Sequence, residues 1–166
     1  MSKQPILEME LSMLKKRIYA GLCIGLLALS PLGAATVSVL VMETGRTAEN
    51  PASQYPTLWE NGLLDVFFES GHIVTNSPQL QIAEKPANDF PGEARRDFDN
   101  AQEGGMEYFL VAIVDYTQSN VSLRLFRTAS PRMIHEQKYT ITTFRNTKEE
   151  YESIKKAVQT MAAYLK

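Results

Sequence analysis

Residues 108–114 read Tyr-Phe-Leu-Val-Ala-Ile-Val, a run that is apolar at every position. A strand with one face in water alternates apolar and polar residues, whereas a strand covered on both faces does not. We therefore predict a central strand here. No other segment constrains the fold as strongly, because this strand requires a packed layer on each side of its sheet.

Four further strands are predicted from the same kind of pattern. They cover residues 36–42, 72–76, 121–125 and 133–143. The first is almost continuously apolar, so we expect it to be buried on both faces. The third alternates apolar residues with Ser122 and Arg124, which predicts a strand with one face exposed to solvent.

Three helices complete the predicted order of elements. The first opens with Thr57 and Glu60 as a capping box, the second covers residues 92–103, and the third opens with Thr147 and Glu150 as another capping box. The order is therefore β-α-β-α-β-β-β-α. We predict a single α+β domain over residues 36–166, with a mixed five-stranded sheet and helices packed against it.

The N-terminal residues have the three parts of a secretory signal. Basic residues at 15–17 precede an apolar run at 18–29, and small residues follow as far as Ala35. Cleavage after Ala35 places Gly33 and Ala35 at the two positions that require small side chains. We expect residues 1–35 to be a signal peptide, with Met13 as a candidate translation start, and the protein to be periplasmic or secreted.

An uncleaved anchor is the alternative interpretation of the same segment. Residues 18–42 contain no charge and are long enough to cross a bilayer, although Pro31 and Gly33 interrupt the run. The protein would then be held at the membrane by its N-terminal helix. Lipid attachment at Cys23 is disfavoured, because the large Leu22 precedes it and most of the apolar run follows it.

Composition excludes several classes of function. The formal net charge is −2, and a mildly acidic chain is a poor candidate for binding nucleic acid or an anionic membrane. The one cysteine, Cys23, lies within the predicted signal peptide. The remaining domain has no thiolate for a disulfide, a metal site or a nucleophile, and we predict no cofactor.

Three residues are the candidates for chemistry. His72 and His135 lie in predicted strands, and Asp115 ends the central strand, where ligand sites gather in open α/β sheets. A small periplasmic ligand-binding protein or hydrolase could use them together. This alternative requires the three side chains to converge within hydrogen-bonding reach.

A second set of residues is typical of a binding surface. Arg124, Arg127 and Arg132 could form a small basic patch for an anionic group. The predicted loops at 43–56 and 80–91 are long, and long loops in compact domains are often functional. Tyr55 and Phe90 in these loops are the aromatic anchors we expect for a partner protein.

The second half of the chain resembles a family of bacterial envelope proteins. Residues 101–111, Ala-Gln-Glu-Gly-Gly-Met-Glu-Tyr-Phe-Leu-Val, and residues 121–125, Val-Ser-Leu-Arg-Leu, are similar to strand patterns of CsgG-like and LpoB-like proteins and of the N-terminal domain of TolB. The resemblance implies a non-enzymatic module that acts by contact with another envelope protein. It implies a role in envelope assembly or in regulating cell-wall synthases.

Overall fold

The computed structural model describes residues 33–46, 54–84, 86, 90–142 and 146–165. The predicted signal segment lies outside these residues, apart from its last three. The strands are β1 (Thr36–Thr44), β2 (Ile73–Asn76), β3 (Leu80–Gln81), β4 (Tyr108–Asp115), β5 (Asn120–Arg127) and β6 (Ser130–Thr140); the helices are α1 (Tyr55–Glu69), α2 (Arg95–Glu103) and α3 (Thr147–Ala162). Short 3-10 turns precede α2 at Gly92–Ala94 and follow α3 at Ala163–Leu165.

The strands form one mixed sheet in the order β2-β1-β4-β5-β6. The first strand is parallel to both of its neighbours, β2 and β4, while β4, β5 and β6 form an antiparallel meander. The α+β class, the mixed sheet and the central place of β4 are confirmed. The two-residue strand β3 is an addition to the prediction, and it pairs with the C-terminal end of β1 within the predicted loop.

Each face of the sheet carries its own core. Helices α1 and α3 cover what we call the two-helix face, to which Val39, Leu110 and Leu123 contribute. Helix α2 covers the opposite, one-helix face, to which Val111 and Phe126 contribute. Strand β4 supplies fully buried residues to both faces, and this burial on both sides explains why the strand is apolar at every position.

Both predicted capping boxes are displaced in the structure. Helix α1 begins at Tyr55, with Pro56 in its first turn and no side chain capping it. Proline has no backbone N–H and a fixed φ, so it suits the first helical turn without a cap. Helix α3 begins at Thr147, but its cap is Asn146, whose Oδ1 accepts a hydrogen bond of 3.0 Å from the backbone N–H of Glu149.

Strand β5 is not half-exposed, which corrects the expectation for residues 121–125. Ser122 is fully buried and Arg124 is 7% exposed. Both side chains donate to Oε1 of Glu136 on β6, at 2.9 Å and 3.0 Å. The alternating pattern therefore marks one apolar face and one buried polar face, stabilised by an ion pair across two strands.

The compact unit begins at Ala34, two residues before the predicted N-terminus of the cleaved protein. Ala35 is buried; its N–H donates to Nδ1 of His72 at 3.3 Å, and its carbonyl accepts from the N–H of Ile73 at 3.0 Å. Its neighbour Thr36 opens β1. Among the described residues, no helix has the length and apolar character needed to cross a bilayer.

Candidate protein-binding surfaces

His72 and Asp115 lie at opposite ends of the parallel strands. His72 is hydrogen-bonded to Ala35, just before β1 begins, whereas Asp115 is in register with Thr44, where β1 ends. Nine residues of extended chain separate these two levels, which corresponds to about 30 Å. Both residues have structural contacts: the ring of His72 lies 6.2 Å from that of Phe67, and Oδ1 of Asp115 accepts from the N–H of Gln118 at 3.0 Å.

The third candidate, His135, lies on β6, far from both. It pairs with Leu125, which pairs with Leu110 of the central strand. That level is five residues from Asp115 along the strand direction, or about 17 Å. No two of the three candidates can share a hydrogen bond. The alternative hypothesis of a hydrolase or ligand site that uses them together is therefore wrong.

The predicted basic patch is divided by the structure. Arg127 and Arg132 are exposed and line an open depression of about 440 Å³ near the β5–β6 turn. The guanidinium of Arg127 also lies 5.7 Å from the ring centroid of Tyr108. Arg124 takes no part in this depression, because its side chain is buried against Glu136. We correct the patch from three arginines to two.

The partly buried pair between Arg124 and Glu136 changes the ionisation of the carboxyl group. Burial acts to raise the pKa of Glu136, but hydrogen bonds from Ser122 and Arg124 and the nearby charges of Arg124 and Lys138 outweigh it. The net effect lowers the pKa below its ordinary value of 4.5. Glu136 is therefore a charged structural residue, and its roles are to pair with Arg124 and to hold β6 against β5.

The two predicted aromatic anchors are not free to contact a partner. Tyr55 is 8% exposed, and its ring meets that of Trp59 in an edge-to-face contact at 6.4 Å. Phe90 is half-buried and packs edge-to-face at 5.1 Å against both Phe98 and Phe126. Both rings are thus parts of the core: Tyr55 belongs to the first turn of α1, and Phe90 folds back over α2 and β5. The parts of the two loops at 47–53, 85 and 87–89 lie outside the described residues.

Strand β6 forms one edge of the sheet. In the described part of the chain it pairs with β5 alone, and a bulge at Ile134 interrupts the pairing. Ile134 is 40% exposed, and Tyr164, which follows α3, is 52% exposed. The ring of Tyr164 stacks on that of His135 at 3.7 Å. An open edge with exposed apolar side chains is a potential site of strand pairing.

A second surface lies at the opposite edge, around the turn from α1 to β2. Phe68 is 73% exposed and Ile73 is 57% exposed. Gly71 has a φ of +83°, its N–H donates to the carbonyl of Phe68 at 2.9 Å, and the N–H of His72 donates to that of Phe67 at 3.0 Å. These bonds are those of a Schellman turn, which fixes the backbone between the two exposed side chains. We call Phe68, Ile73 and this turn the β2-edge surface. Its two side chains lie on either side of the sheet edge, because Val74, the neighbour of Ile73, is the residue that packs against the core on the side of α1.

Metal binding has no support in the described residues. Within ranges 33–46, 54–84, 86, 90–142 and 146–165, no three side chains among His, Asp, Glu and Cys come together as ligands of one ion would. The described residues do have exposed apolar side chains at both edges of the sheet.

A family model described as "Uncharacterised protein" matches residues 41–161. The chain belongs to this family. No curated protein matches the chain.

Several solved structures are similar to the chain at low sequence identity. The PelC dodecamer from Paraburkholderia phytofirmans is 9% identical over 80% of this chain and 87% of that one, with a TM-score of 0.48. The LpoB C-terminal domain from Salmonella enterica is 12% identical over 72% and 91%, with a TM-score of 0.43. Lipoprotein GNA1162 from Neisseria meningitidis is 13% identical over 78% and 99%, also with a TM-score of 0.43. The resemblance of the sequence to CsgG-like and LpoB-like proteins and to TolB stays a prediction.

Sequence reasoning missed the exposed residues of both edges, although one of them left a signal. The apolar stripe of α1 runs through Leu63, Val66 and Phe67, which are buried. Phe68 follows directly, and at 100° per residue it falls well away from that stripe. An aromatic residue outside the stripe of a surface helix could have been identified from sequence. Ile73, Ile134 and Tyr164 could not, because their exposure depends on which strands become edges.

Proposed function

We propose that this chain is an exported accessory protein of the bacterial envelope that acts by binding another envelope protein. The observation that carries the proposal is the exposure of Phe68 and Ile73 on a backbone fixed by the Schellman turn. Export rests on the basic, apolar and small-residue parts of the N-terminal 35 residues. Envelope location and protein contact are also what the resemblance to LpoB-like proteins implies.

The β2-edge surface suits a protein partner for a physical reason. Large apolar side chains exposed to water provide binding free energy when a partner covers them, and a fixed backbone reduces the entropy lost on binding. The nearby ion pair between Glu69 and Lys155, with Nζ and Oε1 at 2.8 Å, supplies a polar margin. A hydrophobic centre with a polar rim is the usual arrangement of an interface.

Strand β2 offers a second kind of contact at the same place. Among the described residues it pairs only with β1, so the backbone groups of its outer edge are available to an added strand. A partner could therefore hydrogen-bond to Ile73–Asn76 while it covers Phe68. We expect a short extended segment of the partner to lie here.

Site-specific photocrosslinking in the host bacterium tests the proposed contact. A photoreactive residue replaces Phe68 or Ile73, and the control position is Gln159, an exposed residue of α3. We expect one crosslinked species of defined mass from the first two positions and none from Gln159. The double substitution Phe68→Ser with Ile73→Thr should abolish that species when the crosslinker is placed at Thr75, beside the patch.

Two outcomes would contradict the proposal. A crosslinked species that persists in the double variant would show that the β2-edge surface does not bind the partner. Recovery of the chain from the cytoplasm alone would exclude export. Because both substituted side chains are exposed, the double variant should keep its melting temperature, and that measurement separates lost binding from lost folding.

A further inference from the structure

We propose that a second copy of this chain binds the β6 edge, so that two sheets join strand to strand into one continuous sheet. The N–H of Ile141 donates to the carbonyl of Ser119 at 2.8 Å. In an antiparallel pair every second residue makes such bonds, so this bond shows which residues of β6 bond to β5. Odd-numbered residues there direct their backbone groups to β5. Glu136, Lys138 and Thr140 direct theirs outward, to an edge that no other described strand covers.

Symmetry restricts how two copies of β6 can pair. A two-fold axis perpendicular to the sheet makes the strands antiparallel and keeps each face continuous. Even-numbered residues of one copy must then pair with even-numbered residues of the other, because only these direct their backbone groups outward. An axis at Gln137 places Glu136 opposite Lys138 of the second copy, and Lys138 opposite Glu136. Two opposite-charge cross-strand pairs form on the same face.

The neighbouring registers are unfavourable for the same electrostatic reason. An axis at Glu136 places that carboxylate opposite its own copy, and an axis at Lys138 does the same with two ammonium groups. Like charges directly opposite each other destabilise a strand pair. The regular part of β6, from His135 to Thr140, is also centred near Gln137, because the bulge at Ile134 ends it. Charge and strand geometry therefore favour one register.

Unpaired polar atoms on β6 support the same axis. Within the described residues, Oε1 of Gln137 and Nε2 of His135 are buried without a hydrogen-bond partner. Buried polar atoms of this kind usually have a partner. At the two-fold axis, Gln137 meets its own copy, and the two side-chain amides can each donate to the other's oxygen. A second copy thus supplies the donor that Oε1 of Gln137 lacks in a single chain.

Exposed apolar surface lies at the same edge. Ile134 and Tyr164 account for two of the four large exposed apolar side chains among the described residues. In the proposed register His135, on which the ring of Tyr164 stacks, comes opposite Tyr139 of the second copy, and the bulged Ile134 lies at the end of the paired segment. Lysine on an edge strand ordinarily prevents such pairing, but here Lys138, which lies 3.5 Å from Glu136 of its own chain, also meets the Glu136 carboxylate of the second copy.

A cysteine at the axis tests the register directly. We would introduce Gln137→Cys into the full chain with Cys23→Ser, which removes the native cysteine. With the axis at Gln137, the two copies of residue 137 are directly opposite, and their Cβ atoms lie within disulfide distance. The two copies of residue 138 are not opposite each other, because each one faces residue 136. We expect mild oxidation to give a covalent dimer from Gln137→Cys and little from Lys138→Cys. Equal yields, or no dimer from either, would overturn the proposed register.

Sedimentation equilibrium over a concentration series tests the association itself. Lys138→Glu turns both charge pairs repulsive, and Lys156→Glu makes the same charge change at an exposed position on α3. We expect Lys138→Glu to raise the dissociation constant of the dimer by roughly tenfold or more. Lys156→Glu should leave it unchanged. Lys138→Glu also removes the ion pair of 3.5 Å with Glu136 of its own chain. Circular dichroism should show that both variants are folded at the temperature of the measurement.

Failure of this proposal is distinct from failure of the proposed function. A chain that stays monomeric throughout the series, or a Lys138→Glu variant that still dimerises, would overturn the β6 pairing. Neither result bears on crosslinking at Phe68 and Ile73, which lie at the opposite edge. Phe68→Ser with Ile73→Thr should in turn leave the dimer intact.

Discussion

Gly62 of α1 faces Ile154 of α3 so closely that a side chain could not be added between them. A Cβ atom at Gly62 would lie 2.6 Å from Cγ2 of Ile154, which is shorter than any real contact of that kind. Glycine within a helix costs about 0.5–1 kcal/mol relative to alanine. The close approach of the two helices over the two-helix face is what offsets that cost.

Substitution of this glycine should therefore destabilise the fold, in spite of the better helix propensity of alanine. We expect Gly62→Ala to lower the free energy of unfolding by about 1–3 kcal/mol, as overpacking does. Ile154→Leu moves the branch point away from Cβ and removes the clashing methyl, so the double variant should be more stable than Gly62→Ala. Urea unfolding of the three variants measures this, and additive losses would contradict the contact.

Glu136 should make the stability of the domain depend on acidic pH. A carboxyl group with a lowered folded pKa stabilises the fold above its unfolded pKa, near 4.5, and loses that effect as the pH falls through the folded value. We expect Glu136→Gln to cost about 1.5 kcal/mol at neutral pH, where it removes hydrogen bonds to a charged group. Unfolding measured at neutral and acidic pH should show a smaller acid-induced loss in the variant. An unchanged loss would exclude Glu136 as its source.

Tyr139 should have the opposite effect at alkaline pH. Burial raises the pKa of Tyr139 to about 12, and its hydroxyl donates to the carbonyl of Ala157 at 2.6 Å. A group with a raised pKa stabilises the fold below its unfolded pKa of 10.0 and loses this effect as the pH rises toward 12. Tyr139→Phe should cost about 1 kcal/mol at neutral pH and flatten the alkaline loss. Tyr164→Phe is the exposed control.

The proposed export predicts that the mature protein begins at Thr36. Cleavage after Ala35 removes the hydrogen bonds of Ala35 to His72 and Ile73, which should slightly weaken the start of β2. It also creates an α-ammonium group at Thr36, whose nitrogen lies 3.4 Å from Oε2 of Glu107. N-terminal sequencing of the protein from the envelope should begin at Thr36. A sequence that begins upstream of Ala35 would instead show that Ala35 is retained in the fold.

The sequence predicted the layers of this fold because burial leaves a periodic pattern. The continuous run of β4 and the stripe of α3 through Ile154, Val158 and Met161 both appear as buried elements. The features that the sequence could not predict are contacts between residues that are distant in sequence. Ser122 and Arg124 read as solvent-facing, and only the position of Glu136 on the adjacent strand explains their burial.

The candidate sites show the same limit more strongly. His72 comes just before a strand and Asp115 ends another. Because these strands are parallel, the start of one and the end of the other lie at opposite ends of the sheet. Phe90 read as a loop residue, although the packing of Phe98 and Phe126 gives it a place in the core. Conversely, no local pattern marks β2 and β6 as the edges. Which strands are at the edge follows from the order of the whole sheet.

The pairing of β1 with β4 affects how the domain reaches its fold. Val37 is in register with Tyr108, so β1 can complete its pairing only after β4, which lies much later in the chain, has been synthesised. Contacts with such long sequence separation close slowly, because a long loop must be ordered before they form. As the chain emerges, β1 can meet only the short strands β2 and β3. In the export proposed above, in which the chain crosses the membrane unfolded, this late closure of the sheet would keep the chain competent for passage until β4 has been made.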